Sequence, residues 1–488
     1  MLTAEWVRQW RARPGGIVLI DSPSGDSWSA SRLEEVTAGL ATQLAEDGIT
    51  AADRVALACR PSAAAALSAI AILRLGAAII PLNPATTPAE IHHVIATVQP
   101  TLAIVDDLAD LAAAARWDAV STTDLAAICS RRAEAGEPVD RVRLDRSGPE
   151  QLAMICFTSG TTGPPKAVPH TSASLLAGTL ALIEAWDWTS KDILVSALPL
   201  FHVHGLVVAL FSTMTAGAAI IIQQRFDPEL VAKNVLEHNA TMVFGVPTMW
   251  WRIAEAGVAP QLHKLRLAVS GSARLDPVLS ERLSKSIGQV PVERYGMSET
   301  LILTSNPVRG PRKPGGVGIP LPGVRLRVAA DGVVEATGPT VFQGYLRHGT
   351  AERQRDGFTE DGWFRTGDLG HFDADGHLFL AGRASETLIT GGHNVAPAEV
   401  EQLLLAQAGV HDVAVAGLPD AQWGQVIAAF IVGDPAEVSI AQLEAACLAS
   451  LSDYKRPRIW KFVQTLPRNP MGKLDRLELA RLAHDSGR

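Results

Sequence analysis

Cysteine is scarce and unpatterned. Cys59, Cys129, Cys156 and Cys447 are the only four in 488 residues, and none stands in CxxC spacing. That argues against a disulfide framework and a cysteine zinc site, and fits a reducing compartment, the cytoplasm. A basic block is also missing: 43 lysines and arginines against 51 aspartates and glutamates leave a net charge of −8. Nucleic acid and anionic membrane surfaces have little electrostatic foothold, so small molecules are the expected partners. The opening MLTAEWVRQWRARPGG lacks the apolar core of a secretory leader. One long stretch without Asp, Glu, Lys or Arg, from Ile193 to Gln224, is broken by Pro199, His202, His204, Gly205 and Gly217. It reads as strand, turn, buried helix and second strand rather than as a membrane span.

What is present is ordinary globular material, 47% hydrophobic and 19% charged, in a chain too long for one core. Short β-branched runs (RVALACR, AAIIPL, ILVSALPL, TMVFGV, LRLAVSGS) alternate with Ala/Leu-rich segments such as SAAAALSAIAILRLG. That alternation predicts an α/β fold with largely buried sheets. After about Gly323 the strands shorten and turns multiply, which suits a smaller β-rich piece. From Thr387 the pattern becomes compact α+β: a Gly-Gly turn, a helix over Ala398 to Ala408, strands VAVAG and VIAAFIVG, and a helix around Ile440 to Leu451. The expected boundary lies near Glu386, dividing 1–385 from 386–488.

The first chemical motif is FTSGTTGPPKAV, Phe157 to Val168, directly after the apolar run LAMICF. Gly160 and Gly163 let backbone N–H groups approach an anion; Thr158, Ser159, Thr161 and Thr162 add hydroxyls; Lys166 adds a point charge. This is a phosphate cradle but not a Walker A loop, because Pro165 precedes the lysine and Ala167 comes after it.

With this string in place the chain resembles the adenylate-forming superfamily of acyl-CoA synthetases, nonribosomal peptide adenylation domains and beetle luciferases. The resemblance runs over essentially the whole chain, through LGAAIIPLNP (Leu75 to Pro84), PLFHVHG (Pro199 to Gly205), RYGMSET (Arg294 to Thr300), GWFRTGDLG (Gly362 to Gly370), GRASETLITGGHNVAPAEVE (Gly382 to Glu401) and PRNPMGK (Pro467 to Lys473). It implies a large N-terminal domain of two stacked α/β sheets with a β-barrel-like piece, and a small mobile C-terminal domain. The implied activity is ATP-dependent acid:CoA ligation through an acyl-adenylate.

Residue by residue, the resemblance assigns Tyr295 to adenine, Gly296 to the ATP/AMP site, Ser298 to the α-phosphate and Glu299 to Mg²⁺. A flat ring, a hydroxyl and a hard carboxylate suit those tasks. Asp368 and Arg383 match the ribose pair. Lys473 matches the adenylation lysine, whose ammonium offsets charge as pyrophosphate leaves. Glu386 stands at the hinge position, where the family usually has Asp. Gly391, Gly392, Lys455 and Arg456 are the CoA candidates. The acid is assigned to His202, Arg252, Ser272, Arg294 and Met297, with Ser272 also near ATP. These segments are especially similar to malonyl-CoA synthetases, in which matching arginines clasp the distal carboxylate of malonate or methylmalonate. Buried cations at Arg252 and Arg294 would be out of place in a fatty-acid tunnel. Other readings remain open: Arg252 paired simply with Glu255; an oxalate or a short- or medium-chain monocarboxylate substrate; a stand-alone adenylation enzyme loading a carrier protein; a homodimer.

Overall fold

The computed structural model describes residues 1–106, 119–121, 144–158, 165–349, 352–390, 393–420, 423–468, 474 and 478–479. Cys129, Ser159, Gly160, Thr161, Thr162, Gly163, Gly391, Gly392 and Lys473 lie outside the described residues. The chain is mixed α/β and forms two compact units, one of residues 1–325 with 336–364, the other of 326–335 with 365–488.

The first unit holds two sheets. One has six strands in the spatial order Ala119–Ser121, Leu102–Val105, Arg54–Ala58, Ala78–Pro81, Leu152–Thr158, Lys166–Thr171. The other has nine, running Ile319–Pro320, Leu301–Ser305, Val292–Met297, Leu267–Ser270, Met242–Gly245, Ile193–Ser196, Ala219–Ile222, Ile17–Asp21, Ser27–Ser29. Its six inner strands, from Val292–Met297 to Ile17–Asp21, are mutually parallel. Parallel strands are buried on both faces, which is why TMVFGV and LRLAVSGS read as unbroken apolar runs rather than alternating ones. The helix Ala63–Leu75 contacts a strand of each sheet and is buried nearly all round, matching its lack of a polar stripe. Its Ser62 N-cap accepts from the Ala65 amide, and Gly76 closes it at φ +95°.

The charge-free stretch resolves into strand Ile193–Ser196, π-helix His204–Phe211, helix Ser212–Ala216 and strand Ala219–Ile222, as expected. No helix among the described residues is long and apolar enough to cross a membrane. A π-helix is rare and concentrates at functional sites. Here it begins at His204, and a Cβ on Gly205 would lie 2.1 Å from the Pro199 carbonyl oxygen, so the turn closes too tightly for a side chain.

The β-rich piece after Gly323 contains, among the described residues, a four-stranded sheet in the order Arg325–Val328, Val333–Thr337, Phe364–Phe372, Leu378–Arg383. The compact units divide inside this piece: residues 326–335 and 365 onward fall in the second unit, so the last crossing lies about twenty residues before Glu386. The reason is pairing: once Asp368 to Phe372 forms a ladder with Leu378 to Arg383, both strands group with the C-terminal part of the chain. The remaining second-unit elements lie close to where the pattern put them: helix Pro397–Leu405, antiparallel strands Asp412–Asp420 and Gly424–Val432, and helix Ile440–Ser450.

Candidate active site

Parallel open sheets place ligands beyond the carboxyl ends of their strands. In the nine-stranded sheet those ends are in register: Ser196 pairs with Phe244, Gly245 with Ser270, and Ser270 with Glu293. The chain leaves the first three of these strands through Pro199–Gly205, Pro247 and Gly271–Ser272, while Val292–Met297 runs on through Arg294. Segments far apart in sequence therefore meet along one edge.

Arg294 is the most unusual side chain there. It is 7% exposed, and its Nε and Nη2 have no hydrogen-bond partner among the described residues. Desolvation lowers its pKa to about 10, which still leaves it cationic near neutrality. The guanidinium lies on Gly271, where a Cβ would stand 2.4 Å from Nε. Ser272, next in the chain, has φ +69°, a strained conformation for a residue with a side chain. Its Oγ is 3.3 Å from Nδ1 of His204. His204 is buried, stacks at 6.5 Å on Phe244, and leaves Nε2 without a hydrogen-bond partner among the described residues. Burial first, then Arg294 and His202, drive its pKa well below the ordinary value, so the imidazole is neutral.

Neutral His204 and cationic Arg294 give this strand end an electrostatic character suited to an anion. Gly271→Ala is expected to push the guanidinium out of this position. The acid-dependent rate should fall at least about tenfold, the effect of losing roughly 1.4 kcal/mol of charge-assisted binding, while ATP binding followed by fluorescence stays within about twofold.

The RYGMSET turn comes next in the chain. A bulge falls between Tyr295 and Gly296, where a Cβ would lie 1.9 Å from the Leu301 carbonyl oxygen. Met297 donates its amide to Thr300 Oγ1 at 3.3 Å. Tyr295 is 8% exposed and Ser298 half-buried. Glu299, 5% exposed, accepts from the Tyr345 hydroxyl at 2.9 Å through Oε1 and from the Phe342 amide at 2.8 Å through its carbonyl. His170 Nε2 lies 2.6 Å from the Ser298 carbonyl oxygen and donates to it. Across the antiparallel pair Leu152–Thr158 and Lys166–Thr171, Thr158 faces Lys166. The Lys166 ammonium is half-exposed, 3.7 Å from Asp356 and 4.7 Å from the centre of the Tyr345 ring.

His170 is neutral because burial, the largest effect, depresses its pKa to about 4. A base whose folded pKa lies below its unfolded value of about 6.5 contributes stability that is complete above pH 6.5 and is lost as pH falls toward 4. That loss amounts to about 3 kcal/mol at full protonation. His204 adds to the same trend. The fall in melting temperature between pH 7 and pH 5 should shrink in His170→Gln, measured by calorimetry.

In the second unit, Asp368 and Arg383 are cross-strand neighbours, with Oδ1 2.8 Å from Nε, and Arg383 also donates to the Thr366 carbonyl at 3.1 Å. Lys455 holds both oxygens of Glu399 at 2.7 and 2.8 Å; Arg456 donates to the Leu451 carbonyl at 2.9 Å. Glu386 ends a short 3-10 turn, Ala384–Glu386.

Arg252 differs from Arg294 in burial. It is exposed on helix Pro247–Glu255, its guanidinium 5.0 Å over the Phe226 ring. It does not pair with Glu255, which bonds Arg282 instead. His202 is half-buried against Phe201, and His204 takes the place beside Ser272. The motifs pointed to the first histidine of PLFHVHG; the structure adds the second, together with His170, Gly271 and Tyr345, to the residues around the candidate site. One signal for Tyr345 was available: only three tyrosines occur in 488 residues, at 295, 345 and 454, and the other two sit beside candidate residues.

A sequence model of the AMP-binding enzyme family matches residues 6–346, and one of the AMP-binding enzyme C-terminal domain matches 399–473. The chain belongs to the AMP-binding enzyme family. ATP and CoA are substrates of this family. Within the adenylate-forming superfamily the similarity is to malonyl-CoA synthetases. A mitochondrial malonate–CoA ligase of Xenopus laevis is 30% identical over 478 residues, 88% of this chain and 82% of that protein. A sulfoacetate–CoA ligase of Cupriavidus necator is 36% identical over 344 residues, 68% of this chain and 67% of that one. The crystal structure of ATP-bound MatB from Rhodopseudomonas palustris superposes with a TM-score of 0.91 at 32% identity, over 100% of both chains. The resemblance set out above implies a divalent cation on the nucleotide. Among the described residues no cluster of three or more His, Cys, Asp or Glu could hold a metal. A single buried carboxylate at Glu299 fits Mg²⁺, which binds through one or two carboxylates with phosphates and water.

Proposed function

We propose that this acid:CoA ligase acts on a short dianionic acid, malonate or methylmalonate first. One observation carries the reading: Arg294 is a buried cation whose Nε and Nη2 lack hydrogen-bond partners among the described residues. Leaving a desolvated guanidinium unpaired is costly, so the site is organised around an anion supplied by the substrate. Malonate and sulfoacetate, the acids in the names of the two relatives above, each carry a second anionic group one methylene from the reacting carboxylate.

In the proposed reaction one carboxylate oxygen attacks the α-phosphorus of ATP and pyrophosphate leaves. The CoA sulfur then attacks the carbonyl carbon of the acyl-adenylate and AMP leaves. Arg294 holds the distal anion, with Ser272, Met297, His202 and His204 around the acid. Arg252 would join only by leaving Phe226. Glu299 would hold Mg²⁺, which when bound would supply neutralisation of phosphate charge. The segment 158–163 with Lys166, Tyr295, Gly296, Ser298, and the Asp368–Arg383 pair bind the nucleotide. Lys473 serves adenylation. Gly391, Gly392, Lys455 and Arg456 serve CoA, with Glu386 as the pivot between the half-reactions.

A screen of pyrophosphate release over mono- and dicarboxylic acids, oxalate and sulfoacetate, with CoA present, tests this directly. Malonate or methylmalonate should give the largest kcat/KM. Preference for a long-chain fatty acid would sink the dianion reading; acyl transfer to a phosphopantetheinylated protein with poor turnover on free CoA would point to a carrier-loading enzyme.

A further inference from the structure

Tyr345 stands between Glu299 and Lys166, two of the residues to which nucleotide chemistry is assigned, and nothing in the sequence motifs gave it a task. Its hydroxyl donates to Glu299 Oε1 at 2.9 Å, and its ring lies under the Lys166 ammonium at 4.7 Å. The ring is held in turn by Phe342, at 4.8 Å in an edge-to-face contact, and the Phe342 amide donates to the Glu299 carbonyl at 2.8 Å. Backbone and side chain of Glu299 are therefore both fixed by the four-residue segment Phe342 to Tyr345. We propose that Tyr345 is a positioning residue: its hydroxyl sets the rotation of the Glu299 carboxylate for the metal, and its ring holds Lys166 poised for phosphate.

The physical reason for two contacts from one side chain is charge separation. Lys166 and Glu299 have opposite charge, and a direct ion pair would satisfy each at the expense of Mg·ATP. A tyrosine interposed between them gives the ammonium a π face and the carboxylate a hydroxyl donor; a further partner of Lys166, Asp356 at 3.7 Å, is half-exposed and solvent-screened, so each keeps partners that ligand can outcompete. Cation–π contacts at such partly exposed sites contribute only about 0.5–1 kcal/mol, weak enough to yield to a phosphate.

The inference rests on the ATP and Mg²⁺ roles proposed above for Lys166 and Glu299, and is independent of the acid. Its test separates hydroxyl from ring. Binding of Mn²⁺ to protein saturated with α,β-methylene-ATP, followed by electron paramagnetic resonance, should weaken by about 10–100-fold in Tyr345→Phe, the usual cost of removing a hydrogen-bond partner from a metal ligand. Affinity for the metal-free nucleotide should stay within about threefold, because the ring remains. Excess Mg²⁺ should restore pyrophosphate release in Tyr345→Phe but not in Tyr345→Leu, which loses both contacts. Wild-type Mn²⁺ affinity in Tyr345→Phe, or an activity loss that metal does not rescue, would overturn the assignment. Failure of the wild-type protein to bind Mn²⁺ with nucleotide would instead overturn the ATP and metal roles on which it rests.

Discussion

Arg294→Ala should lower kcat/KM for malonate or methylmalonate by roughly 30-fold to a few thousand-fold, the equivalent of losing about 2 to 5 kcal/mol from a desolvated charge pair. The loss should be selective. A monoacid such as propionate or butyrate offers no second carboxylate, so it has nothing to lose at Arg294 and gains from removal of an unpaired buried cation. Relative specificity therefore moves toward monoacids. The geometry makes a companion statement about Arg252: exposed over Phe226, its replacement by Ala should cost malonate less than Arg294→Ala does. Equal losses on mono- and dicarboxylates in Arg294→Ala, read from steady-state kinetics as transition-state free energies, would reassign the residue to the fold or to ATP.

Lys473→Ala should lose about 10²–10³-fold in acid-dependent pyrophosphate release, the typical effect of removing one group that stabilises developing charge. Conversion of a supplied malonyl-adenylate to the thioester should continue near the wild-type rate, because thioester formation expels AMP from carbon and makes no demand on the leaving pyrophosphate. Acetylation of the same lysine removes the same charge and should reproduce the split. If both half-reactions fell together, Lys473 would not be specific to adenylation.

His204 illustrates how far local reading goes. PLFHVHG offered two histidines two residues apart, and only the tight turn over Pro199, which excludes a side chain at Gly205, sends the second into the interior beside Ser272 and Arg294. Nothing in the spacing of the motif carries that information. Arg252 shows the converse: a cation near a promising motif, on a helix whose face toward the core is occupied by Trp250 and Ile253, ends on the exposed side.

The sequence by itself determined the family, the α/β class, the order of the motifs and most element positions. These depend on period, turn chemistry and short strings, all of which act within about a dozen residues. The Asp368–Arg383 pair was legible for the same reason, since one hairpin joins the two residues. Tertiary structure alone decided that Arg294 is buried on Gly271 without a hydrogen-bond partner for Nε or Nη2 among the described residues, that Tyr345 links Lys166 to Glu299, and that the compact units part inside the β-rich piece. Each of these brings together residues tens to hundreds of positions apart. Desolvation and hydrogen bonding act through space, so the energetic character of a charge exists only once the distant strands around it have met.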